Sequence, residues 1–292
     1  MRIGSTIVPP GCGHTVECPV PPARRPDDSC YQSPPPARIA FVDGLSGKTV
    51  VVTGGSSGIG AAAVARFRRE GCTVTDLSRH PSPGGLACDV GDRAQVEAAF
   101  ARIGAPDVVI NNAGMSFRHR ALDITPDEWQ QVLRTNLTGV FNVAQVAGRL
   151  MLGGAGGDSG GDGADSGGSG RSGGVIINIA STNALVGHPF YADYNATKAA
   201  VLALTRSLAL EWAPTVRVTA VCPGYVMTPM QEAEYTPEMI AQVNAKIPLG
   251  RHARPEELAA LLAFMACDEA AYMTGSAVVI DGGETAGGLA SR

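Results

Sequence analysis

The chain has 292 residues, 45% of them hydrophobic and 17% charged, with a formal net charge of −4. That balance supports a sizeable core and argues against a nucleic-acid protein, which would carry a basic patch or stripe. No apolar run approaches the roughly 18–20 residues that cross a bilayer, so neither nucleic acid nor membrane is expected as a partner.

In chain order, a tail comes first. Residues 1–44 hold nine of the 20 prolines, with a triplet at Pro34, Pro35 and Pro36 and no periodicity. Such composition predicts an extended or disordered segment, either a real extension or an upstream reading artefact before a true start near Phe41. Pro9, Pro10, Cys12 and His14 interrupt any signal-peptide core. The seven cysteines form no framework of close pairs, and reduced thiols in a cytoplasm are the expectation. Cys12, His14, Cys18 and Cys30 match none of the common structural-zinc spacings, so no metal is expected.

Order is predicted from Lys48. Thr49 to Val52 is a short β-branched run suited to a strand covered on both faces. The glycine-rich turn Thr53-Gly54-Gly55-Ser56-Ser57-Gly58-Ile59-Gly60 follows at once, then a helix from Ala61 to Glu70 that Gly71 ends. A second strand spans about 72–77 and a brief one lies near 86–88. A helix covers 92–103, with Val96, Phe100 and Ile103 on one face. Asp107 to Ile110 is the fourth strand, closed by Asn111-Asn112-Ala113-Gly114. Thr125-Pro126-Asp127-Glu128 opens a helix as N-cap, N1 and N3 residues, and that helix is predicted to reach about Leu152.

Residues 153–174, with twelve glycines, read as a flexible Gly/Ser/Asp insertion on the edge of the sheet away from the chemistry. Strands at Val175 to Ile179 and Val216 to Val221 flank a helix at about 192–212. Thr236-Pro237-Glu238 and Arg254-Pro255-Glu256-Glu257 open two more helices, and Ala277 to Ile280 closes the series. Alternation at this spacing predicts an α/β fold, a doubly wound parallel (Rossmann) sheet in a single domain over 45–292.

Three signals carry chemistry. Gly54, Gly58 and Gly60 allow close approach of a pyrophosphate to a helix N-terminus, and the turn has the strand before and the helix after that such a motif demands. Asn112 stands at the end of the fourth strand. Ser181 follows the fifth strand, and thirteen residues later Tyr194 and Lys198, four apart, share one helix face. An ammonium near a phenol favours phenolate, which brings a general acid/base closer to working pH.

Thr53-Gly-x3-Gly-Ile-Gly, Asn111-Asn-Ala-Gly, Asn136, Ser181, Tyr194-x3-Lys198 and Pro223-Gly224 occur in one order at consistent spacing. That set resembles the short-chain dehydrogenase/reductase family over about residues 45–285, with a general layout similar to 3-oxoacyl-carrier-protein reductases. The resemblance implies hydride exchange between NAD(P)(H) and a ketone or secondary alcohol. Tyr194 is then the acid/base, Ser181 orients the carbonyl, Lys198 lowers the phenol pKa and holds the nicotinamide ribose, and Asn136 holds a relay water. It further implies cofactor contacts from Gly54, Ser56, Ser57, Gly58, Ile59 and Gly60 at the turn. Asp89, Val90, Asn112, Ala113 and Gly114 would line the adenosine side, with Pro223, Gly224, Val226 and Thr228 at the nicotinamide.

Cofactor choice turns on the second strand. Ser78 and Arg79 stand where relatives that prefer NAD carry an acidic residue, and guanidinium suits a 2′-phosphate; Asp76 lies two positions early and is read as facing elsewhere. NADP is therefore preferred, with NAD as the alternative. Asn183, Phe190, Tyr191 and His188 are expected to border the substrate. The loop from Tyr225 to Ile247, with Met227, Met230, Met239 and Ile240, suggests an apolar or mixed one. Arg118, His119 and Arg120 either greet an acidic carrier or are solvated. Resemblance alone implies a homo-oligomer, a tetramer or dimer. The remaining alternatives are an NAD-dependent secondary-alcohol or polyol dehydrogenase and, in a different class, a silent dinucleotide-binding redox sensor.

Overall fold

The structure, a computed structural model, describes residues 42–153 and 173–287. Most of the proline-rich tail, its Cys12, His14, Cys18 and Cys30, and most of the Gly/Ser/Asp segment lie outside the described residues. Seven strands form one parallel sheet among the described residues: β1 (Thr49–Thr53), β2 (Thr73–Ser78), β3 (Leu86–Ala87), β4 (Val108–Asn111), β5 (Gly174–Ile179), β6 (Val216–Pro223) and β7 (Ala277–Ile280). Their spatial order is β3-β2-β1-β4-β5-β6-β7. The chain runs outward from β1 to β3 and then crosses back to β4. The crevice at that reversal, beyond the carboxyl ends of β1 and β4, is where doubly wound folds bind ligands.

The strands form because both of their faces are buried. Val50 and Val52 enter one core cluster with Ile110, Ile177, Phe67 of α1 (Gly58–Arg69) and Leu258 and Leu262 of α8 (Pro255–Ala266). Val51 points the other way. It joins Val109, Ile176, Phe100 of α2 (Arg93–Ile103) and Val143 of α4 (Gly139–Gly153). The period-two alternation thus fills both faces, and each fully buried side chain of this size contributes about 1.5–3 kcal/mol.

Order begins earlier than Lys48. Leu45 is fully buried, and the Val42 N–H donates to Glu70 Oε2 at 3.0 Å. A larger departure concerns the helix predicted from Thr125 to Leu152. Thr125 and Glu128 do form a capping box at the start of α3 (Pro126–Leu133), but a π-helical turn at Arg134–Thr138 then separates α3 from α4. The π turn carries Asn136, whose amide is held by the main chain of Met115: Met115 N–H donates to Oδ1, and Nδ2 donates to Met115 O, each at 2.8 Å. π turns of this kind cluster at functional sites.

The helix predicted at 192–212 is α5 (Ala192–Trp212). Beyond β6 lies a short α6 (Pro229–Glu234), capped by Thr228 and not foreseen, and then α7 (Pro237–Asn244), capped by Thr236. α7 is the helix predicted to open at Thr236; α6, within the stretch 225–247 expected as a loop, brings Gln231 and Glu234 to a cavity beside Tyr194.

Candidate active site

A cavity of about 310 Å³ lies over the carboxyl ends of β1, β2 and β4. Gly54 and Gly58 on its floor take left-handed backbone, at φ +65° and +51°. Gly60 underlies the turn: a Cβ there would collide with Gly54 O and stand 2.6 Å from Asn112 Nδ2. Thr53 Oγ1 accepts the N–H groups of Asn112 and Ala113, each at 2.9 Å. Asn112 Nδ2 in turn donates to Thr53 O at 3.0 Å and Gly54 O at 3.2 Å. The amide of Asn112 therefore ties the end of β4 to the glycine turn. Ser57, the N-cap of α1, makes no side-chain cap hydrogen bond, and the first turn holds no acidic residue. The helix N-terminus accordingly keeps its N–H groups and positive dipole for an anion.

Most of the residues expected at the cofactor meet here. Gly54, Ser56, Ser57, Gly58 and Ile59 line the cavity, as do Ser78, Arg79, Asp89 and Val90. Asn112, Ala113, Gly114, Tyr194 and Thr228 complete it. Lys198, Pro223, Gly224 and Val226 do not line it; Val226 is buried in a bridge to Ala253. Ser78 and Arg79 differ from each other. The buried Ser78 hydroxyl donates to Asp76 Oδ1, and Asp76, fully buried, also accepts the Ser82 N–H at 2.7 Å. Arg79 and the neighbouring His80 are exposed on the rim.

Tyr194 lies in the first turn of α5, where its N–H donates to Asp193 Oδ1 at 2.7 Å. Asp193 is fully buried, and its other oxygen stands 3.1 Å from His119 Nε2. Lys198, one turn on and buried, places Nζ 5.5 Å from the centre of the Tyr194 ring and donates to Ile179 O at 2.7 Å. Burial holds the Lys198 pKa down to about 8. Burial also pushes Tyr194 up to about 12; the Ser181 hydrogen bond to the phenol pulls the other way, and the Glu234 charge adds to the rise. The sequence led us to expect a phenol lowered by Lys198. In this geometry desolvation outweighs the cation, because the ammonium faces the ring and spends a proton on Ile179 O. Ser181, just past β5, takes the Asn183 N–H on its Oγ at 3.1 Å and donates to Asn183 Oδ1 at 3.2 Å.

A second cavity, of about 110 Å³, opens on the far side of Tyr194, which lines both. Ser181, Asn183, Tyr191, His188 and Gly224 line it, but Met227, Phe190, Met239 and Ile240 do not. Met227 instead donates its N–H to Ala253 O at 2.9 Å. Phe190 is exposed and carries the Arg118 guanidinium 4.4 Å above its ring. Ser116, Thr182, Tyr225, Gln231, Glu234 and Tyr235 complete the lining, each with a polar atom on its side chain.

A family model described as short chain dehydrogenase matches residues 48–238. The chain belongs to the short-chain dehydrogenase/reductase family. It is 36% identical to 3beta-hydroxysteroid dehydrogenase 1 of Eggerthella lenta over 265 residues, 83% of this chain and 95% of that protein. It is 35% identical to the 3-oxoacyl-(acyl-carrier-protein) reductase of Thermotoga maritima over 260 residues, 82% of this chain and 98% of that protein. Among solved structures, a gluconate 5-dehydrogenase from Burkholderia cenocepacia J2315, in complex with NADP and tartrate, aligns with a TM-score of 0.73. It has 29% identity and covers 83% of this chain and 97% of that one. As a short-chain dehydrogenase/reductase the protein is an oxidoreductase of hydroxyl and carbonyl groups that uses NAD(P).

The glycine cradle, with no room for a Cβ at Gly60 and an open helix N-terminus, fits the pyrophosphate of that cofactor. Sequence reasoning missed His80 on its rim and Ser116, Gln231, Glu234 and Tyr235 in the second cavity. Among the described residues no group of three or more His, Cys, Asp or Glu is placed to hold a metal. No described helix is long and apolar enough to cross a membrane.

Proposed function

We propose that the protein catalyses reversible hydride transfer between NADP(H) and a secondary alcohol or ketone, with Tyr194 as the acid/base. The observation that carries this reading is the position of Tyr194, which forms a wall of both cavities and so reaches cofactor and substrate at once. NADP(H), held at the glycine turn, would supply the hydride chemistry. Every other role falls to the chain. Ser181 and Tyr194 present two hydroxyls to the substrate oxygen, where negative charge develops as a carbonyl is reduced. Tyr194 gives that oxygen its proton, or takes it in the alcohol direction. Lys198 holds positive charge beside the phenol and would hydrogen-bond the nicotinamide ribose. Asn136 and the π turn keep Met115 and Gly114 against this centre and hold a water of the proton relay.

Arg79 and His80, exposed at the end of β2, support NADP over NAD. With Ser78 committed to Asp76, the Arg79 guanidinium, with the His80 ring beside it, is what remains to recognise a 2′-phosphate. The similarity to a 3-oxoacyl-(acyl-carrier-protein) reductase supports a carbonyl reductase. Residues 45–292 then act as one catalytic domain in a cytoplasm. Exposed Phe141, Leu210, Tyr272 and Val279 favour assembly into a homo-oligomer. The test is a screen of ketones and secondary alcohols with both cofactors, read by nicotinamide absorbance. Turnover faster with NADP supports the reading; no turnover of any compound with either cofactor overturns it.

A further inference from the structure

We infer that the 110 Å³ cavity selects a small, uncharged substrate bearing at least one hydroxyl besides the reacting group, with Glu234 as its specificity-determining residue. This inference rests on the reading of Tyr194 as the hydride-transfer acid/base. The argument begins with protons. Ser116 O–H donates to Glu234 Oε1 at 2.7 Å and Tyr191 O–H donates to Oε2 at 3.0 Å. With its own proton committed, Tyr191 accepts the Tyr235 O–H at 3.3 Å, and the carboxylate keeps lone pairs to offer the cavity. A ligand meets that wall best with a hydroxyl proton.

The same lining offers the converse. Gln231 lies three residues before Glu234 on α6, and among the described residues its Nε2 is a buried nitrogen without a hydrogen-bond partner, as is His188 Nε2. A ligand lone pair can satisfy an amide N–H in a cavity lining, and a buried donor left unmade is costly. A hydroxyl both donates and accepts, so one group type suits both.

Charge sets the second half of the claim. Among the described residues no lysine or arginine lines this cavity, while Glu234 does. Burial holds His188 below its usual pKa, so it is neutral near pH 7, and a further carboxylate, Glu284, lies 3.7 Å behind its Nε2. The Glu234 charge also reaches the phenol of Tyr194. A carboxylate or phosphate on the substrate would leave water for a site beside a like charge and without a cationic partner. In the oxidative direction the carbinol carbon would give up a hydride to the oxidised cofactor, and the hydroxyl proton would pass to the Tyr194 phenolate, which becomes the neutral phenol. The carbonyl product and reduced cofactor balance the two electrons.

The test uses the protein–NADP complex and two compounds of equal chain length, a neutral polyol and the corresponding hydroxy acid, with calorimetric binding and turnover both recorded. The polyol is expected to bind at least about tenfold more tightly, as a site built to pair hydroxyls discriminates. Glu234→Gln is expected to shrink that ratio at least fivefold, by weakening the polyol and admitting the acid, while NADP affinity reports that the variant is folded. Where Glu234→Gln does not fold, the wild-type ratio decides. Equal or tighter binding of the acid, binding of neither compound, or an unchanged ratio in a folded variant overturns the inference. Polyol binding with no turnover instead defeats the role of Tyr194 and leaves the selectivity standing.

Discussion

Lys198, buried, and Tyr194, half-buried between the two cavities, form a pair in which the ammonium stands 5.5 Å from the centre of the phenol ring rather than on its oxygen. The lysine is anchored by Ile179 O at 2.7 Å, at the end of β5. The sheet thus fixes the charge, and α5 fixes the phenol one turn away.

That burial has a stability consequence with a definite sign. Lys198 titrates at about 8 in the fold against its ordinary 10.5. Between those values the unfolded chain binds a proton that the folded chain does not, so stability rises with pH across the window and is lost as pH falls toward 8. Relative to Lys198→Met, the wild type should gain on the order of 3 kcal/mol across it. Tyr194, raised from 10 to about 12 by burial, acts oppositely above pH 10. Urea unfolding of both proteins at pH 7.5 and about 9.5 reads the lysine alone; a pH-independent difference would contradict its burial.

Arg79 should discriminate between the two cofactors. Arg79→Ala is expected to weaken NADP binding by about 10–100-fold, the value of a charge-assisted hydrogen bond of about 1.5–3 kcal/mol, and to leave NAD within about twofold. Titration of each cofactor against the variant checks this. Equal losses for both would remove Arg79 from the 2′-phosphate.

Gly60 should tolerate no side chain. Its Cβ would press on Gly54 O and Asn112 Nδ2, forcing the turn to shift at about 1–3 kcal/mol. Gly60→Ala should lower the melting temperature by several degrees and weaken cofactor binding at least about tenfold. Gly187→Ala, with nothing within 4 Å of the new methyl, is the control and should change neither.

What could be read from the sequence was local. Val50 to Val52 announce a strand because both faces are buried, and Thr125 and Thr236 announce helices because their side chains satisfy N-terminal N–H groups. Tyr194 and Lys198 meet through helical spacing alone. What stayed hidden depends on distant pairings. The π turn at Asn136 follows from a contact with Met115, 21 residues away. The polar cavity wall exists because α6 brings Glu234 to Ser116, 118 residues away, where the methionines of the same segment had suggested an apolar surface. Ser78 looked like a phosphate ligand until the fold turned its hydroxyl onto Asp76.

The most direct measurement is kinetic. Tyr194→Phe keeps the ring between the two cavities and removes only the proton-bearing oxygen. Steady-state turnover with the best substrate of the screen, beside NADP affinity, separates chemistry from binding. The account predicts turnover lower by on the order of a thousandfold or more with the NADP dissociation constant within about twofold. Residual activity within about tenfold of the wild type would contradict the role of Tyr194.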